Sequence, residues 1–254
     1  MGTGAVTQYI DLAQIVLYVF WIFFFWLVIW LVREGKREGY PLESDRRDYV
    51  DIQGWPAIPK AKQYRLGDGT ILKAPHDRDR NAPALAARRT GNFPGAPIEP
   101  TGNPIGAGLG PGAWTARADH PDHMRDGSAK IRPMWLESDF SVAIQDVDPR
   151  GLTVVGADDV AAGVVKDLWV DRTEMLFRYL EVALTGGKTV LLPIPFCRIT
   201  KKNVKVAAIL GGQFAGAPTT KSHDQVTLRE EDEIAGYFGS GILYATPTRQ
   251  EPLV

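Results

Sequence analysis

The strongest constraint on the fold is a run of 21 residues with no charged side chain, from Leu12 to Val32. At about 1.5 Å per residue, a helix over this run would be roughly 31 Å long, which matches the ~30 Å hydrocarbon core of a bilayer. The run also holds 8 of the 25 aromatic residues of the chain. We therefore predict a transmembrane helix over residues 12–32 and exclude a freely soluble protein.

The residues on either side of the run indicate that it stays in the mature protein, and they predict its orientation across the membrane. A signal peptide needs basic residues before the apolar run and a small-residue cleavage site after it, and neither is present. Because basic loops stay on the cytoplasmic side, we expect residues 1–11 outside and the rest of the chain in the cytoplasm. Gln14 is the only strongly polar side chain in the run, so the helix is an anchor or an interface and not a channel alone. The basic residues that follow the run are Arg33, Lys36, Arg37, Arg46 and Arg47.

Composition excludes several classes of protein. The chain has 29 Lys and Arg residues against 30 Asp and Glu residues, and its net charge of -1 does not suit a basic nucleic-acid binder. The single cysteine, Cys197, excludes a disulfide framework and is predicted to be a small buried hydrophobe. The glycines of residues 106–112 lack a preceding apolar strand and are interrupted by Pro111, which argues against a dinucleotide loop. No serine lies in a G-x-S-x-G elbow, so no nucleophile with its base is indicated.

Residues 33–113 are predicted to form an extended cytoplasmic segment. A Pro-punctuated strip covers residues 55–62, and a hairpin is expected over Tyr64–Ala74 with its turn at residues 67–69. Residues 91–113 contain 7 Gly, 5 Pro and one charge, so no helix or long strand is expected there. This Gly/Pro-rich stretch is either a linker or an ordered coil pressed against a partner surface.

Residues 114–254 are predicted to form a small antiparallel β-barrel with a short C-terminal helix, so that the whole chain is membrane-anchored and mainly β. Short strands separated by turn signals recur at spacings of 8 to 13 residues, which is typical of such a barrel. The helix is expected to begin at Thr227, which forms a capping box with Glu230, and to end at Gly239 and Gly241. The expected strands are Phe140–Ile144, Thr153–Val155, Gly163–Val170, Phe177–Leu184, Thr189–Ile194 and Val204–Ile209.

The densest group of titratable residues comprises Asp119, His120, Asp122, His123 and Asp126. Imidazole titrates near pH ~6.5 and neighbouring carboxylates exchange protons quickly, so this group fits a proton-collecting surface. A solvated polar loop and a metal site are the alternatives. The metal site is disfavoured because no further Cys or His motif completes a tetrahedral set of ligands.

A second acidic group runs from a predicted strand into a turn, at residues 167–174. Alternation along the strand places Asp167, Trp169 and Asp171 on one face. Two interpretations stay open. Either this face is solvated and Arg172 or Arg178 pairs its carboxylates, or the carboxylates form a relay that leads inward.

Several short pieces of the chain, taken in their order and spacing, resemble one known family. The pieces are the aromatic N-terminal span, residues 37–42 (REGYPL), residues 100–104 (PTGNP), Gly110-Pro111 before Trp114, residues 130–133 (KIRP), residues 167–171 (DLWVD), residues 178–182 (RYLEV) and residues 227–232 (TLREED). Over essentially its whole length, the chain resembles the H subunit of the purple-bacterial photosynthetic reaction centre.

The resemblance implies a cytoplasmic barrel of the PRC type that caps the pigment-bearing L and M subunits. It implies a structural, non-enzymatic subunit that stabilises the L/M core, shields the quinone sites and conducts protons to the secondary quinone. Glu174 and Asp171 match family carboxylates on the proton route, and Arg178 matches a basic position beside them. Asp126 and Ser128 occupy positions where some family members have two histidines, so a different set of residues is expected to collect protons here.

The resemblance also sets expectations for cofactors, partners and location. This chain is expected to bind no cofactor as a principal ligand and no metal, within a complex that holds bacteriochlorophyll, bacteriopheophytin, quinones, non-haem iron and carotenoid. Expected partners are the L and M subunits and membrane lipids, with a cytochrome subunit and a light-harvesting 1 ring as further candidates. The expected location is the bacterial inner, intracytoplasmic membrane with the N-terminus in the periplasm. A membrane-tethered barrel adaptor that recruits a soluble partner is the alternative function.

Overall fold

The computed structural model describes residue 6 and residues 11–42, 53–75, 85–93 and 95–250. The chain divides into two compact units. The first unit comprises Met1–Ala84 and Gly91–Pro97, and the second comprises Leu85–Thr90 and Ile98–Val254. Arg46, Arg47 and residues 1–11 other than Val6 and Asp11, for which the sequence predicts a side of the membrane, lie outside the described residues.

The first unit begins with a single apolar helix, α1, at Leu12–Gly35. The Asp11 carboxylate accepts a hydrogen bond of 2.8 Å from the backbone N–H of Gln14, which caps the first turn. The helix has 24 residues, is long and apolar enough to cross a membrane, and has no buried residue. The predicted transmembrane helix is confirmed, and it continues past Val32 to Gly35.

The first unit also contains the predicted hairpin. Strand β1 (Lys62–Arg65) pairs antiparallel with β2 (Ile71–Ala74). The Asp68 side chain accepts the backbone N–H of Thr70 at 2.9 Å and so fixes the turn between them. The hairpin begins at Lys62, slightly earlier than the sequence predicts.

The second unit is built on a curled seven-stranded sheet, which confirms the predicted mainly β fold. Its order is β10-β11-β6-β7-β8-β9, and β5 also pairs with β7. The pairs are antiparallel except that of β11 with β6. The strands are β5 (Ile131–Pro133), β6 (Thr153–Val155), β7 (Ala161–Asp171), β8 (Leu176–Leu184), β9 (Thr189–Pro193), β10 (Cys197–Ile199) and β11 (Asn203–Val206). Two short strands outside this sheet, β3 (Ala87–Arg89) and β4 (Ile98–Pro100), form a separate antiparallel pair.

Strand β7 is the longest and positions the site described below. Along one edge it pairs with β6 near its start and with β5 at its end, while β8 follows its other edge. The register of β7 with β8 shifts at two bulges, which leave Lys166 of β7 and Arg178 of β8 outside the pairing. Arg178 therefore lies at a bulge beside the end of β7.

The structure differs from the predicted strands in several places. Residues 140–144 form coil and a turn instead of a strand. Strand β11 ends at Val206, and residues 207–209 leave the sheet. The short strands β5 and β10 were not predicted.

The C-terminal helix α2 covers Leu228–Tyr244 and begins with the predicted capping box. Thr227 Oγ1 accepts the Glu230 N–H at 3.1 Å, and the Glu230 carboxylate accepts the Thr227 N–H at 2.8 Å. The predicted end at residues 239–241 is wrong, because the helix continues through these glycines.

The glycines of α2 serve close packing against the Gly/Pro-rich coil. A Cβ atom on Gly236 would lie 2.9 Å from the carbonyl oxygen of Gly112, and one on Gly239 would lie 2.5 Å from that of Pro111. Only residues without a side chain permit this approach. The end of the Gly/Pro-rich stretch is ordered, since Gly110–Gly112 form a short 3-10 helix. The surface against which it packs is α2 of the same unit and not a partner.

Candidate functional site

Two groups of residues that the sequence singles out meet beside the end of β7. Residues 122–130 form a tight loop whose ends are joined by the Lys130 N–H, which donates to the Asp122 carbonyl at 2.8 Å. Directly after β7, the Arg172 backbone N–H donates to the Lys130 carbonyl at 3.1 Å, and its guanidinium donates to Ser128 Oγ at 2.7 Å. These bonds hold the acidic turn after β7 against the loop that carries His123.

Asp171, the last residue of β7, has no exposed surface. Its Oδ1 accepts the backbone N–H groups of Thr173 and Glu174, each at 3.0 Å. Its Oδ2 lies 3.3 Å from Arg178 Nε and 3.4 Å from Lys130 Nζ. Burial raises the pKa of Asp171, but the two N–H groups and the two cations outweigh it and hold the pKa below its usual range. Asp171 is therefore a buried carboxylate that stays ionised.

Lys130 and Arg178 link Asp171 to two exposed carboxylates. Glu174 Oε1 lies 3.3 Å from Arg178 Nη2 and 3.8 Å from Lys130 Nζ. Asp122 Oδ2 lies 3.9 Å from the same Lys130 atom. The side chains of Asp122 and Glu174 are 51% and 46% exposed, against 0% for Asp171. We call these five residues the carboxylate cluster, which leads from solvent to a buried carboxylate through shared cations.

Glu231, in the first turns of α2, is a further carboxyl group near the same cations. The Tyr179 hydroxyl donates to Glu231 Oε2 at 3.4 Å. Burial raises the pKa of Glu231 and outweighs the opposite effects of the Tyr179 hydrogen bond and of Arg117, Arg178 and Lys130. Burial also raises the pKa of Tyr179, so its hydroxyl remains a donor. Glu231 is therefore better suited than Asp171 to hold a proton.

Sequence reasoning missed Glu231, because its acidic run is explained by the positive end of the helix dipole. Glu230 meets that explanation, since it closes the capping box and accepts the Lys221 N–H at 2.7 Å. A usable signal was helical periodicity, which places Glu231 on the same face as Ile234 and Phe238. Both of these residues are fully buried. A carboxyl group on the apolar face of a helix indicates a special role more strongly than the other acidic residues of the same turn do.

Both histidines lie at the surface, His123 in the loop of residues 122–130 and His120 just before it. The rings of His120 and His123 are exposed, and their centres are 6.0 Å apart. The Lys221 ammonium bound to Asp119 lowers the pKa of that carboxyl, and hydrogen bonds from Ser128 lower the pKa of Asp126. Among the five residues predicted to collect protons, Asp122 is the one that joins the carboxylate cluster. Across the described residues, no group of three His, Cys, Asp or Glu side chains is placed to hold a metal ion.

The remaining polar residues of β7 have structural partners. Asp167 accepts the backbone N–H of Trp135 at 3.2 Å. The Trp169 indole donates to Glu181 Oε2 at 3.0 Å, and Lys166 binds the other oxygen of that carboxylate at 2.7 Å. Asp167, Trp169 and their neighbours on the opposite face are all buried. This face is therefore not solvated, but the expected arginine pairing is confirmed, since Arg178 lies 3.3 Å from Asp171.

Cys197 is half-buried rather than fully buried. Its thiol donates to the carbonyl of Ile194 at 3.2 Å, and it packs against the edge of the core. Burial raises the pKa of the thiol to about 11, so it is protonated and unreactive at neutral pH.

The fold and the site define a class of protein: a single-pass membrane protein with a curled, mainly antiparallel sheet that carries buried, ion-paired carboxylates. Two family models match the chain. The photosynthetic reaction centre H-chain N-terminal region matches residues 4–136, and the PRC-barrel domain matches residues 142–212. The first match covers more than half of the chain, so the protein belongs to the photosynthetic reaction centre H-chain family. The family is one of non-catalytic subunits, and membership implies a complex that contains pigments and quinones and association with the L and M subunits.

Proposed function

We propose that this subunit conducts protons from the cytoplasm to the secondary quinone through the carboxylate cluster. The observation that supports this most directly is the position of Lys130, whose ammonium lies within 4 Å of three carboxylates that differ in exposure. Buried charge destabilises a fold unless it is paired and hydrogen-bonded. Asp171 is both paired and hydrogen-bonded. The fold can therefore contain a route of ionisable groups that leads inward without being destabilised by it.

The carboxylates of the cluster and the nearby Glu231 have three different parts in this proposal. Asp122 and Glu174 are half exposed and exchange protons with water. Asp171 stays ionised, holds Lys130 and Arg178 in place, and supplies the negative charge that attracts the next proton. Glu231 lies near the same cations and serves as a group that holds a proton further from solvent.

The direction of transfer follows from charge. Electrons that reach a quinone in low-dielectric surroundings create negative charge, and protons must follow to neutralise it. A route of ionisable groups from the surface lowers the barrier to proton transfer, because several short steps replace one long transfer through apolar protein. The exposed His120 and His123, with Asp119, Asp122 and Asp126 around them, are proposed to collect protons from bulk water.

We further propose that the subunit stabilises the L/M core and shields the quinone sites. The aromatic side chains of α1 point outward, and two of them, Trp26 and Trp30, stack with ring centres 6.5 Å apart. Large rings offer a wide contact area to neighbouring helices or pigments. The basic residues at and after the end of α1 support an orientation in the bacterial inner membrane with the N-terminus in the periplasm and the rest of the chain in the cytoplasm. In this proposal the pigments, quinones and iron are held mainly by the other subunits, and a cytochrome subunit and a light-harvesting 1 ring are further neighbours.

Glu174→Gln in the detergent-purified complex tests proton conduction. The amide keeps the size of the side chain but cannot bind and release a proton. We expect proton uptake after the second light flash, followed with a pH-indicator dye, to slow by at least about tenfold. Charge separation after the first flash should be unchanged. Asp159→Asn is the matched control, since Asp159 is an exposed carboxylate paired with Lys205 outside the cluster. Unchanged uptake in Glu174→Gln from roughly pH 6 to 9, a window that includes the ~6.5 value of imidazole, would remove Glu174 from the route.

A further inference from the structure

A cavity of about 400 Å³ in the second unit shares no residue with the carboxylate cluster. Trp114 and Tyr237 line it with aromatic rings, and Glu233 lines it with a carboxylate. Much of the remaining lining is glycine, including Gly108 and Gly216. The cavity therefore combines two large rings and one acid with walls that have little side-chain bulk.

Glycine lets the backbone approach the Tyr237 ring closely. A Cβ atom on Gly216 would lie 2.6 Å from the Tyr237 hydroxyl oxygen, which donates to the carbonyl of Gln213 at 2.7 Å. A Cβ atom on Gly108 would make only an ordinary contact of 3.5 Å with Trp114 Nε1, but Gly108 has a φ of +66° that disfavours other residues. Any larger residue at Gly216 would push the Tyr237 ring from its place. The position of the Tyr237 ring in the cavity wall therefore depends on glycine at position 216.

The protein already places a cation of its own against this wall. The guanidinium carbon of Arg229 lies 5.4 Å from the centre of the Trp114 ring. Its Nε donates to Glu233 Oε1 at 2.8 Å. The second oxygen of Glu233 accepts no hydrogen bond from any residue that the structure describes. One carboxylate oxygen therefore remains available beside two aromatic rings.

We propose that this cavity binds a small organic ammonium group, with Trp114 and Tyr237 against its alkyl substituents and Glu233 balancing its charge. Aromatic faces together with a carboxylate recognise such cations through the ring quadrupole and charge. A hard metal ion does not fit, because it requires several oxygen ligands and this lining offers few. The ammonium group could belong to a free amine or to the headgroup of a zwitterionic lipid, and both share this chemistry.

Choline is a suitable probe, titrated into the purified complex in a maltoside detergent at constant chloride concentration. Saturation-transfer NMR on its N-methyl protons reports binding. We expect saturation transfer to the choline protons to reach a plateau and to persist in sodium chloride. Tetramethylammonium should displace choline and reduce the signal. Glu233→Gln should weaken choline binding by about tenfold, which corresponds to ~1.4 kcal/mol. Arg229→Gln should strengthen it several-fold, because it removes the internal cation that competes for Trp114 and Glu233. Asp159→Asn is the control and should leave binding unchanged.

The two substitutions act in opposite directions, so a general loss of structure cannot imitate the expected pattern. Tighter binding of a short-chain phosphatidylcholine than of choline identifies a lipid headgroup as the source, and the reverse order identifies a free amine. The proposal is overturned if transfer does not saturate, or if Glu233→Gln and Arg229→Gln both bind choline as the unmodified chain does.

Discussion

Lys130 Nζ lies 3.4 Å from Asp171 Oδ2, and this contact joins the loop that carries His123 to the end of β7. Backbone pairing makes the contact possible, because Ile131 of β5 is in register with Asp171 of β7. The ammonium and the buried carboxylate are therefore brought together by the sheet itself. Stability and the proposed proton route depend on the same pair of strands.

The unfolding temperature should decrease in acid because of Asp171. Its folded pKa lies below the usual value, so the folded form keeps the carboxylate at a pH where the unfolded form takes up a proton. This stabilisation is complete above about pH 4, the ordinary value for Asp, and is lost as the pH falls through the lower folded pKa. Asp171→Asn should lower the unfolding temperature at neutral pH and flatten its acid dependence. Circular dichroism of the purified chain across this range measures both effects, and parallel curves for the two proteins would contradict the prediction.

The hydrogen bond from Tyr179 to Glu231 should tune the protonation of that carboxyl. Because the hydroxyl stabilises the ionised form, Tyr179→Phe should raise the pKa of Glu231 further above its usual value. Infrared difference spectra of the carboxyl stretch, titrated against pH, measure the shift, and Glu231→Gln assigns the band. Tyr237→Phe is the control, since its hydroxyl bonds to the Gln213 carbonyl and not to Glu231. A band that titrates identically in Tyr179→Phe would show that the contact has no electrostatic effect.

Much of the fold could be predicted from local pattern. The charge-free run predicts α1, and the capping box at Thr227 predicts the start of α2, because each depends on residues close in sequence. The end of α2 was mispredicted for the opposite reason. Gly239 is usually a signal for a helix end, but here the distant Pro111 carbonyl requires its small size. Only the three-dimensional packing reveals that contact.

The candidate site was predictable only in part, for a similar reason. The dense titratable group identified Asp122 as a candidate, and the family resemblance identified Asp171 and Glu174. Neither shows which of these carboxylates meet. Lys130 joins them from a loop that lies about 40 residues before the end of β7 in the sequence. At that separation the sequence does not predict which side chains lie close together. The burial of Asp171 was also hidden, since the strand that covers its edge, β5, is too short to predict.

The exposed histidines should matter only when protons are scarce in solution. His120→Gln with His123→Gln is expected to slow proton uptake several-fold in weakly buffered solution, because both rings are exposed to bulk water. Added imidazole should restore the rate. Flash-induced uptake with and without imidazole measures this. A rate that is the same in the double variant and insensitive to imidazole would identify the loop as merely solvated.

Gly239→Ala should destabilise the second unit although alanine favours helices. In an exposed helix the exchange would stabilise by about 1 kcal/mol. At Gly239 the new Cβ would lie 2.5 Å from the Pro111 carbonyl oxygen, so the coil or α2 must shift, at a cost of about 1–3 kcal/mol. The net effect is a lower free energy of unfolding, measured with denaturant on the purified chain. Gly212→Ala is the matched control, since its Cβ would meet nothing within 4 Å. Equal stability of Gly239→Ala and the unmodified chain would show that the contact between α2 and the coil gives way easily.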